Sequence, residues 1–250
     1  MRFKMKNIDL VYNRENDEAS TLLSFLNNWD ANYQNKVRAI DLFKPQLTSK
    51  WAWEQKAYFC KIFYHARGHF HEFLWYLGNH AEDKSTKDMV LHNMAEEFNG
   101  SARSHEQLYL DFAETLGVKL DKELIEEESY LPCIKEFNKE HLRWLHTNDH
   151  NARLSAFSAY ERLDNIDYIN LLKLVDSMGV NKKGQIFFKV HALVKHFETT
   201  EKELQDIWNH TPEKVIQGFN FISEHQIKMW HNLSNEVFNL NKNNADLTSD

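Results

Sequence analysis

Carboxylates and histidines recur along the chain in an order suited to a metal site. Glu96 and Glu97 precede His105, Glu161 follows in a later segment, and His191 lies in the stretch FFKVHALVKHFE. Carboxylate and imidazole groups projecting inward from facing helices are the ligands with which helical bundles hold a pair of iron or manganese ions. These residues therefore predict metal chemistry, with a solvated helix end as the alternative for the two adjacent acids.

Helical geometry makes the stretch around His191 ambiguous. At about 100° per residue, His191 and Glu198 lie on nearly the same face, Lys195 lies between them, and His196 falls roughly 140° away. One imidazole and one carboxylate would then share a site beside an ammonium group. The alternative is a plain core helix, because phenylalanines already supply an apolar face and Lys195 and Glu198 would form an exposed ion pair.

Glu161 is the carboxylate that the sequence marks for the interior. Phe157, Tyr160 and Tyr168 around it are expected to pack, and Asp164 lies on the same side one helical turn later. A buried carboxylate is unfavourable unless a cation or a metal pairs with it. Glu161 is therefore a candidate for function, whereas most of the 14 histidines are predicted to be structural.

Long helices must position these side chains. Only seven Gly and three Pro occur in 250 residues, which argues against many short strands, and 42% of the residues are apolar. We predict an all-α fold, a single helical bundle of about seven to eight helices over residues 19–240, with an N-terminal extension at 1–18 and a polar tail at 241–250. Apolar periodicity and capping signals predict helices over 19–43, 49–80, 86–99, 101–117, 123–144, 152–178, 186–208 and 211–240.

The net charge and the two cysteines indicate which partners and which cellular setting to expect. The net charge is −7, and no stripe of Lys and Arg would track a phosphate backbone, which argues against nucleic acid. Cys60 and Cys133 stand far apart without a C-x-x-C pattern, which favours a reduced cytoplasmic setting. No apolar run is long enough for a membrane span, and no signal-peptide core follows the first residues. We expect a soluble cytoplasmic protein whose partners are a small-molecule substrate and, at most, a second copy in a homodimer.

Three segments carry a resemblance to a known family. They are NMAEEFNGSARSHEQLYLDFAETLG, FSAYERLD and FFKVHALVKHFE. Over roughly residues 20–240 the chain resembles the haem-oxygenase-like diiron oxidases, which share their fold with thiaminase-like and pyrroloquinoline-quinone-synthesis proteins. Within them it is similar to the branch of the chlamydial protein associating with death domains, which is used in making p-aminobenzoate.

The resemblance implies a set of metal ligands. In that family a glutamate, a histidine, a second glutamate and a helix with the pattern His-x-x-x-Asp/Glu-x-x-His bind two irons inside the bundle. Carried over, these roles fall on Glu97, with Glu96 as the alternative register, and on His105, Glu161 and His191.

The last motif departs from the family pattern. Lys195 stands where an acid is expected, and Glu198 stands where a second histidine is expected. An ammonium cannot coordinate a metal at neutral pH, and it removes negative charge from a site for two divalent ions. Either Glu198 restores the carboxylate, or the other four ligands hold one metal, or metal binding is lost. We favour a weakened or single-metal site. A Lys195 desolvated beside a metal would lose its proton and serve as a catalytic base or as a modified residue.

The implied function is that of a non-haem iron-dependent oxidase or oxygenase that activates O₂ on a small organic substrate. The expected cofactor is iron, one or two ions per chain, with manganese as a substitute. The alternative is a non-catalytic binding or interaction protein that keeps the fold without metal. A thiaminase-like enzyme ranks third, because Cys60 and Cys133 show no pattern of a cysteine nucleophile.

Overall fold

The computed structural model of the chain describes residues 21–99, 103–193 and 196–246. These residues form eleven α-helices and two short 3-10 helices, at Asp41–Phe43 and His196–Thr199, and contain no strand. The prediction of an all-α helical bundle is therefore confirmed. The α-helices are α1 (Leu22–Ala39), α2 (Pro45–Thr48), α3 (Trp53–Asn79), α4 (Lys84–Asn99), α5 (His105–Thr115), α6 (Asp121–Glu126), α7 (Pro132–Thr147), α8 (His150–Ser177), α9 (Ile186–Leu193), α10 (Glu201–His210) and α11 (Pro212–Asp246).

Capping residues set where the helices next to the candidate site begin and end. The Ser104 hydroxyl accepts a hydrogen bond from the backbone N–H of Gln107 at the start of α5, and the backbone N–H of Ser104 donates one to Oε1 of Gln107. Asp149 caps α8 in the same way by accepting from the backbone N–H of Ala152. Gly179 adopts a φ of +78° just after α8, which glycine tolerates better than other residues.

The largest apolar cluster joins α3, α5, α7, α8, α9 and α11. Phe112 of α5 and Phe188 of α9 meet in a T-shaped contact with ring centroids 4.9 Å apart. Phe63 of α3 lies against Phe188 and against Trp230 of α11. These buried rings fix α3, α5 and α9 relative to one another, and those three helices carry much of the candidate site.

Two predicted helices are interrupted in the structure, which accounts for most of the higher helix count. The segment predicted as one helix over 123–144 is divided into α6 and α7, and Pro132 opens α7 because its missing N–H is not needed in a first turn. The prediction of one helix over 186–208 is wrong. That segment contains α9, the 3-10 helix at 196–199 and α10, and Lys195 lies outside the described residues.

Of the two predicted terminal segments, only the C-terminal one can be compared with the structure. The predicted extension at 1–18 lies outside the described residues, and α11 runs on to Asp246, into the predicted tail. None of the described helices combines the length and the apolar character needed to cross a lipid bilayer.

The backbones of α8 and α11 approach each other closely at Gly218. A Cβ atom added at Gly218 would lie 2.6 Å from the backbone nitrogen of Ala156 and 2.9 Å from the carbonyl carbon of Ser155. Backbone atoms cannot move aside as a flexible side chain can. Glycine at this position therefore lets α8, which carries Glu161, pack directly on α11.

We predict that Gly218→Ala destabilises the protein by about 1–3 kcal/mol or more, because the added methyl group overpacks the α8–α11 contact. Gly68→Ala is the matched control, since an added Cβ there meets nothing within 4 Å and the residue lies inside α3. It should leave stability unchanged or raise it by roughly 0.5–1 kcal/mol. Urea unfolding followed by circular dichroism measures both, and equal effects of the two substitutions would contradict this account of the contact.

Candidate metal centre

Three of the predicted ligands converge in the structure. Glu97 near the end of α4, His105 at the start of α5 and His191 in α9 each offer one ligand atom, and these atoms lie within 4.8 Å of one another. The Nδ1 of His105 donates a hydrogen bond of 2.8 Å to Oε1 of Glu97. The Nε2 of His191 lies 4.0 Å from the same oxygen. In the part of the chain that the structure describes, this is the one group of at least three such residues placed to share an ion.

A backbone carbonyl sets the orientation of His191. Its Nδ1 donates a hydrogen bond of 2.9 Å to the carbonyl oxygen of Phe187, one turn earlier in α9. The proton is thereby assigned to Nδ1, and the lone pair of Nε2 faces Glu97, as metal-binding histidines require. The ring of Tyr168 stacks on the His191 ring with centroids 4.2 Å apart and holds it in place.

The protonation states suit a cation. Burial, and then the neighbouring His105, lower the pKa of His191 to about 3, so its imidazole is neutral at pH 7. Burial alone would raise the pKa of Glu97, but hydrogen bonds from His105 and His71 hold that pKa well below its usual range. A neutral imidazole and an ionised carboxylate are the forms that bind metal ions.

The carboxylate of Glu161 in α8 is also buried, but it has no hydrogen-bond partner. Only 1% of the residue is exposed, and neither carboxylate oxygen has a hydrogen-bond partner. Burial raises its pKa well above the usual value, and the charges of Asp164 and Glu97 raise it further. The interior position predicted for Glu161 is confirmed by its burial, and its role as a ligand stays a prediction.

Two residues of α3 belong to the same region and were not singled out from the sequence. The Nε2 of His71 lies 3.4 Å from Oε2 of Glu97. Arg67, one turn earlier, is paired with Glu106 and lies 4.4 Å over the ring of Tyr109, with 6% of its side chain exposed. Their spacing of i and i+4, which places them on one face of α3, was the available signal.

The remaining predicted residues lie elsewhere or outside the described chain. Glu96 is half-buried, and its Oε1 lies 3.4 Å from Nε2 of His92, so Glu97 is the acid of the pair that faces His105. Glu198 is exposed in the 3-10 helix and lines a different cavity with Asp30. The shared helical face argued for Glu198 therefore does not exist, because the α-helix is not continuous. The role predicted for Lys195 stays a prediction.

Two cavities lie beside the three converging residues. The inner one, about 20 Å³, is lined by Glu97, His191 and Asp164 among others. The outer one, about 240 Å³, is lined by His71 and by residues of α3, α5 and α7. Arg67 lines both cavities, so its side chain forms part of the wall between them.

A second histidine cluster lies deeper in the bundle. The Nε2 of His69 is 3.1 Å from Nδ1 of His141, and Nε2 of His225 donates to the carbonyl oxygen of Phe137 at 2.9 Å. Burial lowers the pKa of all three imidazoles, that of His225 to about 4. They are neutral core residues at pH 7, which agrees with the structural role predicted for most histidines.

The chain is similar to known proteins over most of its length. The family described as iron-containing redox enzyme matches residues 57–206, more than half of the 250 residues. A crystal structure of a CADD-like protein of unknown function from Nostoc punctiforme PCC 73102 superimposes with a TM-score of 0.65 at 16% identity and covers 86% of this chain and 96% of that one. A second crystal structure with the same description gives 0.65 at 18% identity, with 85% and 98% covered. No curated protein matches the chain significantly.

We predict that Glu161→Met raises the free energy of unfolding of the metal-free protein by about 1–4 kcal/mol, because it replaces an unpaired buried acid by an apolar side chain. The same variant should lose most of the rise in melting temperature that Mn²⁺ gives the wild-type protein. Asp167→Asn is the control, since Asp167 accepts hydrogen bonds from Tyr33 and Trp230 and its change should cost about 1–3 kcal/mol. A destabilised Glu161→Met protein that still responds fully to Mn²⁺ would refute the prediction.

A second prediction concerns acid and the deeper histidine cluster. A histidine whose folded-state pKa lies below the unfolded value of about 6.5 binds its proton more readily in the unfolded chain. Its contribution to stability is therefore complete above pH 6.5 and is lost as the pH falls toward the folded pKa, about 4 for His225. Between about pH 7 and pH 4, wild-type protein should lose roughly 2–3 kcal/mol more than His225→Gln, which keeps a donor but cannot titrate.

The comparison between these two proteins isolates His225. The raised pKa values of Glu161, Asp164 and Asp167 act in the opposite direction and favour the folded state as the pH falls. They act equally in both proteins, so they cancel in the difference. Urea unfolding at a series of pH values is the measurement, and parallel profiles would show that His225 does not titrate on unfolding.

Proposed function

The chain belongs to the family of iron-containing redox enzymes, and from this premise we propose that it is a non-haem iron-dependent oxidase or oxygenase that activates O₂ on a small organic substrate. The iron would be held by Glu97, His105 and His191, with Glu161 as a further ligand. The proposal concerns the metal, the reaction type and the size of the substrate. The chemical identity of the substrate is no part of it.

The observation that carries the proposal is the carboxylate of Glu161, buried without any hydrogen-bond partner beside other acids. Burying an ion in this way costs several kcal/mol unless an opposite charge offsets it. Arg67, the one arginine that lines the inner cavity, is paired with Glu106. A divalent cation fits the donor set, because it would offset the charges of Glu97 and Glu161 together.

The side chains would perform distinct tasks around the iron. Bound ferrous iron supplies the electrons for reducing O₂. His191 keeps Nε2 free because its Nδ1 donates to the Phe187 carbonyl. His105 donates from Nδ1 to Glu97, and this contact holds together two of the side chains that would bind the metal. The packed rings of Tyr168 and Phe187 beside His191 exclude water from the inner cavity.

The outer cavity is the place we propose for the substrate. Its volume of about 240 Å³ is below the 300–1,000 Å³ typical of pockets for drug-sized ligands, which favours a small molecule. His71 reaches from this cavity to Glu97, 3.4 Å away, so a molecule bound there would lie beside the metal ligands. Gly68, which also lines the cavity, leaves open space where a side chain would stand.

The second candidate function is a binding or interaction protein that keeps the fold and has lost the metal. Lys195, placed where the resemblance expects an acidic ligand, favours it. The convergence of Glu97, His105 and His191 favours the oxidase, because a protein without metal has no need to bring three such groups together in its interior. Metal content separates the two functions.

We predict that anaerobically reconstituted wild-type protein retains about one or two irons per chain after desalting and consumes O₂ when air is admitted. His105→Ala and His191→Ala should each lower iron affinity by at least about 10-fold, since each removes a ligand. His146→Ala, which changes an exposed histidine of α7, should retain wild-type iron. Elemental analysis and an oxygen electrode provide the measurements.

The outcomes assign the function without ambiguity. Wild-type protein that holds no iron would refute the oxidase and leave the binding protein. Iron that survives both His105→Ala and His191→Ala would place the metal elsewhere in the chain. Circular dichroism of each variant confirms that the bundle is still folded.

A further inference from the structure

Large apolar side chains are exposed together on the hairpin formed by α3 and α4. Trp75 of α3 is 56% exposed, and Leu91 and Phe98 of α4 are 62% and 59% exposed. Most of the other large apolar side chains that the described chain exposes lie singly on different helices. A cluster of exposed apolar residues is typical of an interaction site, whereas single ones are ordinary. We call the face that carries these three residues the hairpin surface.

The two helices of the hairpin run antiparallel, and their contacts fix the two ends of the hairpin surface. At one end, a Cβ atom added at Gly78 of α3 would lie 3.3 Å from the Val90 side chain of α4. At the other end, the ring of His71 in α3 stacks on that of Phe98 in α4, with centroids 5.4 Å apart. The hairpin surface therefore extends from Gly78 to Phe98, about two helical turns along each helix.

A groove opens at the Gly78 end of the hairpin surface. Its volume is about 210 Å³, and it lies between α3 and α4, where Gly78 carries no side chain. Trp75, Leu91 and Lys87 are among the residues that line it. Lys87 is exposed, so its ammonium group stays in water at the rim while the apolar side chains form the walls. The groove therefore suits an apolar side chain from a protein partner.

The two ends of the hairpin surface are complementary to each other. The Phe98 end carries an exposed ring and, one turn before Trp75, the carboxylate of Glu72, whose side chain is 63% exposed. The Gly78 end carries the groove and the ammonium group of Lys87. One end thus has a ring and a negative charge, and the opposite end has a groove and a positive charge.

We propose that the hairpin surface binds a second copy of this chain and forms a two-fold symmetric dimer. In a two-fold interface both copies use the same surface, and each contact between two different residues occurs twice. An antiparallel arrangement brings Phe98 of each copy to the groove of the other. The same arrangement brings Glu72 of each copy to the side of Lys87 of the other. Exposed aromatic residues surrounded by a charged rim are typical of protein interfaces.

Phe98 is held in its exposed position before a partner binds. The planes of the Phe98 and His71 rings lie within 16° of each other. The Nε2 of His71 in turn lies 3.4 Å from Oε2 of Glu97, which restrains the histidine. A side chain that is already ordered loses less conformational entropy on binding than a free one. The dimer contact therefore uses a preformed surface, and the inference does not depend on whether a metal is bound.

Sedimentation velocity over a range of protein concentrations tests the inference. Wild-type protein should be a dimer at about 100 μM and dissociate on dilution toward about 1 μM, as expected for an interface of modest size. Leu91→Glu and Phe98→Asp should each weaken the dimer by at least about 10-fold, because each places a carboxylate in an apolar contact. Ile125→Glu is the matched control, since Ile125 is 84% exposed on α6, away from the hairpin surface, and should dimerise as wild type.

Exchange of the rim charges tests the two-fold symmetry. Lys87→Glu alone and Glu72→Lys alone each place like charges opposite each other twice, and each should weaken the dimer by about 10-fold. An equimolar mixture of the two variants restores opposite charges at both places, so a mixed dimer should form with nearly wild-type affinity. Both residues are exposed, so neither change should unfold the protein, and circular dichroism checks this.

The outcomes decide for or against the hairpin surface. Wild-type protein that stays monomeric over the whole range would overturn the inference, and the surface would then serve a different partner. A dimer that withstands both Leu91→Glu and Phe98→Asp would also overturn it, because the copies would meet elsewhere. Absence of recovery in the mixture would contradict the two-fold pairing of Glu72 with Lys87. None of these results depends on iron content, so failure here leaves the proposed function untouched.

Discussion

Compensation of buried negative charge along α8 is the constraint on which this structure depends. Glu161 is enclosed without a donor, and Glu97 and Asp164 add further negative charge around it. Left as an ion, such a group would cost several kcal/mol, and left as an acid it would still lack a partner. A bound cation, as proposed for this site, would offset these charges together. His191, which burial keeps neutral at pH 7, adds no charge of its own beside these acids, so its tautomer and burial matter as much as their positions.

The helices that carry these groups are held in place by contacts that do not involve the candidate ligands. Glycine at position 218 brings α11 against the backbone of α8, and the contact of Phe112 with Phe188 fixes α5 against α9. The candidate ligands come from four helices whose mutual positions are set by apolar contacts that do not include the ligands. A preorganised site of this kind avoids an ordering cost when a metal binds. The packing of the rest of the bundle therefore offsets the free-energy cost of burying Glu161.

The sequence predicts the helical scaffold well because its signals are local. Proline in the first turn, side-chain caps and glycine after a helix mark the starts and ends of α5, α7 and α8, and apolar spacing marks their buried faces. The convergence of Glu97, His105 and His191 was also predicted, but from their order in a family resemblance rather than from spacing. The 3-10 helix at His196–Thr199 was not predicted, because apolar residues keep a helical period through this segment and no Gly or Pro marks the change. Arg67 and His71 were overlooked because a histidine in an apolar helix is more often structural than functional.

That interruption decides which carboxylates are available to the centre. A continuous helix would carry Glu198 back to the side of His191 after two turns. In the structure Glu198 is exposed beside another cavity, whereas Asp164 of α8 lines the inner cavity with Glu97 and His191, and Glu161 and Asp167 lie one turn to either side of it in α8. Of the acids of α8, Asp167 accepts hydrogen bonds from Tyr33 and Trp230, so its carboxylate is stabilised without a cation. Hydrogen-bond donors thus distinguish Asp167, whose carboxylate is satisfied inside the bundle, from Glu161, whose carboxylate has no partner, within two turns of a single helix.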